Sequence, residues 1–339
     1  MKPLLTALAL TALALATSAF AVEYQATKDW VRLPDVNSRP TNSHGDVAIS
    51  SAGEVYVSTM DPENGIQVFS QDGKLLRSVP NAPNDFHGFV IRKDKEGEFI
   101  YGPRLVAGSI VKLTLDGKVV LEIPGSAIPD EFKNVVPPNT RANAQGEITK
   151  NPDEGKRILR MTGIDVAPNG DIYVTDGYAS DYVHRFDRNG KYLKSFGGKK
   201  EPYNFRTLHK LAIDTRFTPA RIIAVDREAR RVIHLSLDGE LLGVVAKDML
   251  RPSALAIQGD YVVIGEILGQ VTVLDKAGKV VAAFATNSTT EDIGHNRTPP
   301  EKWRPGMVNS PHGVAFNANG DIFVTEYNTF GRVHRFDRK

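Results

Sequence analysis

The sequence predicts an all-β fold, a six-bladed β-propeller, from three observations. Six segments repeat one pattern of short apolar strands joined by polar turns. Asp-Gly or Asn-Gly pairs recur at matching places, and alternating apolar residues between such turns are typical of antiparallel hairpins. No segment longer than about ten residues carries a capped 3.6-residue apolar period, which excludes a helical solenoid.

Each repeat is expected to contribute four strands. The clearest copy places its strands at 162–167, 171–176, 182–186 and 192–196. The six copies begin at His44, His87, Thr162, His209, Ser253 and His312. The repeat length is about 45 residues, and two longer intervals hold insertions at roughly Leu121–Arg160 and Ala285–Asn309. Four short strands in a repeat of this length predict one propeller blade per copy.

The ring is expected to close through the N-terminus. The last copy ends at Lys339, just after its third strand, and an open ring would leave an unpaired sheet edge. The stretch Asp29–Leu33 has strand character and is expected to supply the outer strand of the last blade. Residues 22–339 would then form one domain.

Residues 1–21 have the pattern of a secretory signal. A basic start at Lys2 precedes a short Ala/Leu-rich stretch and the small-residue ending Ala19-Phe20-Ala21. The alternative is a helical anchor that stays attached, but no other apolar run approaches the length of a membrane span. We therefore expect a periplasmic or secreted mature protein without a membrane span.

The composition excludes several classes of function. The 42 Lys and Arg residues balance 40 Asp and Glu residues, for a net charge of +2. This balance gives no reason to expect nucleic acid or an anionic membrane surface as a partner. Because the chain has no cysteine, any metal must be held by histidine and oxygen ligands.

Four of the eight histidines are expected to have structural or solvated roles. His184, His234 and His334 occupy the middle of the third strand in three repeats, where packing and hydrogen bonding are the expected roles. His295 lies in a polar insertion and is expected to be a solvated loop residue.

The other four histidines, His44, His87, His209 and His312, each begin the first strand of a blade. First strands line the central channel of a propeller, so these imidazoles are expected to converge on one rim of the axis. Three neutral imidazoles on Zn²⁺ leave a fourth position open, as in catalytic sites. The alternative is that histidine is simply the consensus of the repeat, although two copies begin with Thr or Ser instead.

These residues resemble those of the NHL-type six-bladed propellers, and of the peptidyl-α-hydroxyglycine α-amidating lyase domain in particular. The resemblance covers the second to sixth blades. In that family three histidines that open separate blades hold zinc, and His87, His209 and His312 stand in those blades. The family's catalytic tyrosine follows an Asp-Gly pair, as Tyr178 does, and its substrate-binding arginine lies in an Asp-Arg-Glu loop, as Arg227 does.

The resemblance implies a zinc-dependent lyase that cleaves the carbon–nitrogen bond of an α-hydroxyglycine-type or related hydroxylated substrate. Tyr178 would act as a base or proton shuttle, favoured as phenolate by cationic neighbours, and Arg227 would bind a substrate carboxylate. Tyr178 can also be interpreted as a rim aromatic, and Arg227 as an ion-pair partner of a neighbouring acid. Asp165 is expected beside the channel, either as an acceptor for a ligand imidazole or as a partner of backbone amides.

The chain departs from the family pattern in three ways. Gly313 stands where the family has an aspartate calcium ligand, which makes Ca²⁺ doubtful. The family's second arginine has no clear counterpart, since His44 lies in that region, and Arg104 is a candidate for the missing guanidinium. The sequence carries no companion copper monooxygenase domain, so a hydroxylated substrate made elsewhere is expected.

The second hypothesis is a non-catalytic propeller that binds a protein, peptide or glycan through its rim loops. The fold by itself does not choose between the two, because propellers host many functions. Under the leading hypothesis the partner is a small-molecule or peptide substrate, and the protein is expected to be a monomer. Metal content discriminates: an enzyme of this type should carry about one zinc ion per chain.

Overall fold

The computed structural model describes residues 22–27, 30, 44–59, 65–139 and 151–339. The predicted signal, residues 1–21, lies outside the described residues. The described chain forms six four-stranded antiparallel sheets, which are the six blades of a β-propeller. The predicted fold class is therefore confirmed.

In the first three blades the strands follow one another in sequence order from the channel outwards. Blade 1 consists of Val47–Ile49, Val55–Ser58, Ile66–Phe69 and Leu75–Ser78. Blade 2 consists of Val90–Asp94, Gly97–Pro103, Ile110–Thr114 and Val119–Ile123. Blade 3 consists of Gly163–Val166, Ile172–Thr175, Tyr182–Phe186 and Tyr192–Gly197.

The next two blades repeat this order, and the sixth takes its outer strand from the other end of the chain. Blade 4 consists of Leu208–Asp214, Arg221–Asp226, Arg231–Ser236 and Leu241–Ala246. Blade 5 consists of Pro252–Gln258, Tyr261–Glu266, Gln270–Leu274 and Val280–Phe284. Blade 6 consists of Pro311–Phe316, Ile322–Glu326, Val333–Arg338 and the N-terminal Tyr24–Ala26.

The ring closes through the N-terminus, as expected, but with different residues. Tyr24–Ala26 pairs antiparallel with the last strand, with Tyr24 opposite Arg338 and Ala26 opposite Phe336. The prediction that Asp29–Leu33 would form this strand is wrong for Trp30, and the rest of that stretch lies outside the described residues.

Trp30 has a different role, as a buried residue between the first and last blades. Its indole lies 5.0 Å from the ring of Phe323 in blade 6 and 6.0 Å from Phe69 in blade 1. The indole N–H donates a hydrogen bond of 2.7 Å to the carbonyl of Gln71. The aromatic side chain therefore packs across the same seam that the N-terminal strand closes.

Packing between blades forms the core. Six clusters of buried apolar side chains are found in the described chain, and each joins two neighbouring blades. The turns from third to fourth strand carry the Gly residues that the repeat predicts, and Gly73, Gly117 and Gly190 have φ between 84° and 88°. This left-handed backbone conformation is accessible to Gly at little cost, which explains the Asp-Gly and Asn-Gly pairs.

The insertions carry short elements of their own. The first follows Ile123, slightly later than predicted, and contains the 3₁₀ turns Gly125–Ala127 and Asp130–Phe132 and the paired segments Asn134–Val135 and Arg157–Ile158. The second contains the 3₁₀ turns Thr290–Asp292 and Pro300–Lys302. Within the described ranges, no helix has the length and apolar character needed to cross a membrane.

Candidate metal centre and active site

Three of the four channel histidines form a compact triangle at one end of the axis. The ring centroids of His87, His209 and His312 lie 4.6–5.0 Å apart. Each residue is only 2–3% exposed. These histidines come from blades 2, 4 and 6, so residues far apart in sequence are gathered by the circular arrangement of the first strands.

The same type of hydrogen bond orients each of the three rings. His87 Nδ1 lies 3.0 Å from the carbonyl oxygen of Thr162, and His312 Nδ1 lies 3.0 Å from that of Gly45. His209 Nδ1 makes the equivalent bond to the carbonyl of Ser253. Because a carbonyl oxygen only accepts, each Nδ1 carries the proton and each Nε2 is left with a lone pair. Each carbonyl comes from the next blade around the ring.

Burial keeps these three rings neutral. The pKa values of His87, His209 and His312 are lowered well below the usual 6.5, chiefly because the buried rings would lose hydration on becoming charged. Nearby positive charge, including the guanidinium of Arg227, lowers them further. A neutral imidazole is the form that binds a metal ion.

The fourth channel imidazole, His44, lies beside the triangle. Its centroid is 4.7 Å from that of His87 and 4.8 Å from that of His312. One ring nitrogen from each of His44, His87 and His312 can be chosen so that all three lie within 4.8 Å of one another. Burial, with a smaller effect of Arg227, lowers the pKa of His44 to about 4.

The predicted tyrosine lies directly over one edge of the triangle. The hydroxyl oxygen of Tyr178 is 3.1 Å from His87 Nε2 and 3.0 Å from His209 Nε2. Arg227 Nη1 donates a third hydrogen bond to the same oxygen, at 3.0 Å. The sequence-predicted residues His87, His209, His312, Tyr178 and Arg227 therefore form one continuous cluster.

The loop that carries Tyr178 is fixed by its Asp-Gly pair. The carboxylate of Asp176 accepts hydrogen bonds from the backbone N–H groups of Arg160 and Ser180. A Cβ atom on Gly177 would lie 2.4 Å from the carbonyl oxygen of Leu208. Only glycine fits this contact between blades 3 and 4, and this close approach lets the following tyrosine reach the channel.

The Tyr178 hydroxyl is protonated in this environment. Burial raises its pKa above 10, and the neighbouring Arg227 opposes only part of that effect. Arg227 alone therefore does not make the phenolate the favoured form, and the expectation that a bound cation would do so stays a prediction. The guanidinium of Arg227 also donates from Nε to Glu228, at 3.1 Å, and Glu228 is held in turn by Arg251. The ion-pair interpretation of Arg227 is thus confirmed, and its role in binding a substrate carboxylate stays a prediction.

Two further candidates have contacts away from the cluster. Arg104 Nε donates to Asp85 at 2.9 Å, and its described contacts include none with Tyr178, Arg227 or a channel imidazole. Asp165 accepts from Arg92 Nε at 2.7 Å and from the backbone N–H of Ile213 at 2.8 Å. The proposed role of Asp165 as an imidazole acceptor is therefore wrong, because main-chain carbonyls take that role.

One aromatic residue of the site was missed. The Tyr327 ring lies 4.5 Å from His44 and 6.2 Å from His312. The sequence contains a signal for it, because an acid stands at the end of the second strand in both blades, Glu326 in blade 6 and Asp176 in blade 3. A tyrosine follows this acid one residue later in blade 6, as Tyr327, and two residues later in blade 3, as Tyr178.

The remaining histidines lie where the repeat predicts. His184 hydrogen-bonds to Ser195, His234 to Asp214 and His334 to Glu326, all within their own blades. The imidazole of His295 hydrogen-bonds within its own insertion in the described chain, with Nε2 bonded to the carbonyl of Glu291 at 2.8 Å and Nδ1 accepting from the backbone N–H of Arg297 at 3.1 Å.

The hydrogen-bond donors near the three imidazoles are too few for their three Nε2 acceptors. Each of the three Nε2 atoms carries a lone pair, and Tyr178 has one hydroxyl proton to offer to His87 or His209. His312 Nε2 is buried and has no hydrogen-bond partner among the described residues. Unpaired buried acceptors are rare and costly. A cation bound by the three nitrogens would satisfy all of them.

The donor set indicates the type of cation. Imidazole nitrogens are ligands for Zn²⁺ and related transition metals, whereas Ca²⁺ and Mg²⁺ prefer oxygen. Three identical N–H to carbonyl bonds are the partners that usually orient metal-binding histidines. The residues at this end of the channel thus fit a three-imidazole metal site, and among the described residues His44, His87 and His312 are the three whose ring nitrogens lie within 4.8 Å of one another.

The fold and this cluster define the class of protein: a six-bladed β-propeller with an imidazole-lined channel. No family model matches the sequence. Two curated proteins of Drosophila melanogaster are similar to it. They are Peptidyl-alpha-hydroxyglycine alpha-amidating lyase 1, at 24% identity over 206 residues, and lyase 2, at 26% over 190 residues. The alignments cover 55% and 53% of this chain but only 36% and 42% of the two relatives.

Solved structures of lyases share the fold. Virginiamycin B lyase from Staphylococcus aureus is 14% identical, with a TM-score of 0.56 over 93% of this chain and 99% of that one. A streptogramin B lyase structure is also 14% identical, with a TM-score of 0.55 over 94% and 98% of the two chains. The protein is thus a propeller whose distant sequence relatives and structural neighbours include lyases.

Proposed function

We propose that this protein is a metal-dependent lyase that cleaves the carbon–nitrogen bond of an α-hydroxyglycine-type or closely related hydroxylated substrate. The observation that carries the proposal is the packing of three neutral, buried imidazoles against one another, with the Tyr178 hydroxyl bonded to the Nε2 atoms of two of them. The similarity to the two amidating lyases supports the reaction type.

His87, His209 and His312 would hold the metal through their Nε2 atoms, and Zn²⁺ is the ion that best suits three imidazoles. When bound there, zinc would supply Lewis-acid chemistry, lowering the pKa of a substrate hydroxyl that approaches the open position. His44 would lie at the edge of this open position, since its ring contacts those of His87 and His312.

The reaction needs one proton moved from oxygen to nitrogen. Loss of the hydroxyl proton lets the carbon–oxygen bond become a carbonyl while the carbon–nitrogen bond breaks, and the departing amide nitrogen takes up a proton. Tyr178 would move this proton, and the contacts of its hydroxyl with two imidazole nitrogens and a guanidinium support this role. The products are a primary amide and an aldehyde-acid, glyoxylate in the simplest case.

Arg227 would fix the carboxylate of the substrate. A guanidinium has five N–H donors, and the contacts to Tyr178 and Glu228 use two of them. The planar arrangement of the remaining donors suits a carboxylate. Its bond to the Tyr178 hydroxyl would place the bound carboxylate next to the proton-transfer group.

Calcium is not part of the proposal. The ammonium group of Lys210 pairs with Asp46 in the channel, next to Gly313. A Cβ atom on Gly313 would lie 2.5 Å from an Asp46 carboxylate oxygen. The Asp46 carboxylate is therefore already paired with a positive charge of the protein, the Lys210 ammonium group.

We also propose that the mature protein acts outside the cytoplasm as a monomer on a small-molecule or peptide substrate, without nucleic acid. The predicted signal and the balanced charge support this proposal. The alternative, a non-catalytic binding propeller, predicts ligand binding that does not depend on metal.

The test is glyoxylate release from an α-hydroxyglycine compound by the zinc-loaded protein. We expect Tyr178→Phe to abolish release while keeping the fold and the metal. The matched control is Tyr182→Phe, because the Tyr182 ring packs on Phe132 in the first insertion. A metal-loaded wild type that releases no glyoxylate, or a fully active Tyr178→Phe variant, would refute the proposed reaction.

A further inference from the structure

A buried ion pair crosses the channel directly beneath the imidazole triangle. Asp46 belongs to blade 1 and Lys210 to blade 4, which lie on opposite sides of the ring of six blades. The ammonium group of Lys210 hydrogen-bonds to the carboxylate of Asp46. The two residues are 1% and 5% exposed. Charged groups are almost never buried this deeply unless they are paired.

The neighbouring blades leave room for these two long side chains. By the pairing of first and second strands, Asp46 beside Ser58 corresponds to Gly313 beside Thr325, and His44 lies one residue earlier than the other channel histidines. In this register the residue equivalent to Asp46 and Lys210 is small in the other four blades, namely Gly88, Gly163, Ala254 and Gly313. A Cβ atom on Gly163 would lie 3.0 Å from the Cα of Lys210 and 3.0 Å from Thr175 Oγ1. This layer of the channel is therefore built around the Asp46–Lys210 pair.

The pair is attached to the segments that present the imidazoles. Lys210 directly follows His209, and Asp46 directly follows Gly45, whose carbonyl oxygen accepts the hydrogen bond from His312 Nδ1. The carboxylate of Asp46 also accepts a longer hydrogen bond of 3.4 Å from the backbone N–H of Phe89, two residues after His87. Displacement of either charged side chain would therefore move the groups that set the direction of the imidazole rings.

The pair also separates the two ends of the channel. Lys210 lines a cavity of about 1170 Å³ at the opposite end, together with Asp165, Arg92 and the first strands. The lining of that cavity includes neither a channel histidine nor Tyr178. The imidazole triangle is therefore approached from the Tyr178 side, and the ion pair is its floor.

We propose that Asp46 and Lys210 are positioning residues of the metal centre, which keep the Nε2 atoms of His209 and His312 aimed at the ion. This inference rests on the proposed function, because it takes those nitrogens to be metal ligands. One part of this inference does not depend on metal, namely that the Asp46–Lys210 pair keeps the Nδ1–H to carbonyl hydrogen bonds of His209 and His312 in place.

The test removes the ammonium group with Lys210→Met and measures zinc affinity by competition with a chromophoric chelator. We expect a 10- to 100-fold loss of affinity, which is typical when a partner of a ligand imidazole is disturbed. The metal-free protein is then examined by NMR of the hydrogen-bonded imidazole Nδ1–H protons. The signals of His209 and His312 should shift or disappear in Lys210→Met, and Lys210→Arg should retain them.

A second buried ion pair, in the same blade as Lys210, supplies the matched control. Arg216 and Asp214 are 7% and 0% exposed as side chains, against 7% and 2% for Lys210 and Asp46. Arg216→Met should lower stability without changing zinc affinity or the Nδ1–H signals. Where Lys210→Met fails to fold, Asp46→Asn combined with Lys210→Met removes both charges, and the proposal predicts a folded protein with weakened zinc binding.

The outcomes separate the two proposals. Wild-type zinc affinity and unchanged Nδ1–H signals in the folded Lys210→Met or double variant would overturn the positioning role while leaving the lyase proposal intact. A wild type that shows all three Nδ1–H signals but binds no zinc would overturn the proposed function. In that case, loss of the His209 and His312 signals in Lys210→Met would still support the positioning role.

Discussion

Acid should destabilise the metal-free protein through its buried channel histidines, and His312 gives the clearest test. Its pKa lies well below 6.5 in the folded protein because the ring is buried beside other imidazoles. The unfolded chain takes up the proton with a pKa of about 6.5. The stability that His312 contributes is therefore present above pH 6.5 and is lost as the pH falls below that value.

The magnitude follows from this difference in pKa. Between pH 7.5 and pH 5.5, an imidazole that stays neutral only in the folded state lowers the free energy of unfolding by about 1.4 kcal/mol. Other groups titrate in the same range, and burial raises the pKa values of Asp176 and Asp181 to about 6, which acts in the opposite direction. A comparison of wild type with His312→Gln cancels these other contributions.

The assay is urea unfolding at the two pH values in the presence of a chelator. Between pH 7.5 and pH 5.5, the free energy of unfolding of the wild type should fall by about 1.4 kcal/mol more than that of His312→Gln. His295→Gln, in the second insertion, is the control substitution because its ring lies outside the cluster. Equal losses in wild type and His312→Gln would show that the imidazole protonates inside the fold, which would refute the neutral-acceptor account.

Three further predictions concern the metal and the ring closure. Zinc at 100 times its Kd should raise the free energy of unfolding by about 2.7 kcal/mol, and this increase should vanish in His87→Ala. An equal increase in His87→Ala would show that zinc binds at another site. Calcium and a calcium chelator should leave the melting temperature of the wild type unchanged, since Lys210 accompanies Asp46; a rise with calcium would contradict this. Trp30→Ala should lower the free energy of unfolding by about 3–5 kcal/mol in chemical denaturation, because the indole is buried between blades 1 and 6. A decrease below about 1 kcal/mol would show that the contact between these two blades does not depend on Trp30.

Much of the fold could be predicted because the same signals occur six times. Turn pairs such as Asn189-Gly190 mark the outer hairpins, and the position of His87, His209 and His312 at the start of first strands predicts that they meet at the axis. Tyr178 and Arg227 were singled out by the resemblance of their short motifs to those of the amidating-lyase family, and the two side chains contact each other in the structure.

The remaining features depend on contacts between blades, which the pattern of one strand does not contain. The closing strand Tyr24–Ala26 is only three residues long, and its partner lies at the other end of the chain. The acceptors of the imidazole Nδ1–H groups are main-chain carbonyls, which any residue type supplies. The pairing of Asp46 with Lys210 crosses the whole ring, and its only sequence signal is the small residue found at that position in the other blades.

The central claim is that one transition-metal ion binds between the three channel imidazoles. Anomalous X-ray diffraction at the zinc edge, on crystals of the zinc-loaded protein, tests it most directly. We predict one strong peak on the channel axis, about 2.0–2.1 Å from the Nε2 atoms of His87, His209 and His312, and the same peak in His44→Ala. The absence of a peak there, or a peak bound by other residues, would contradict the account.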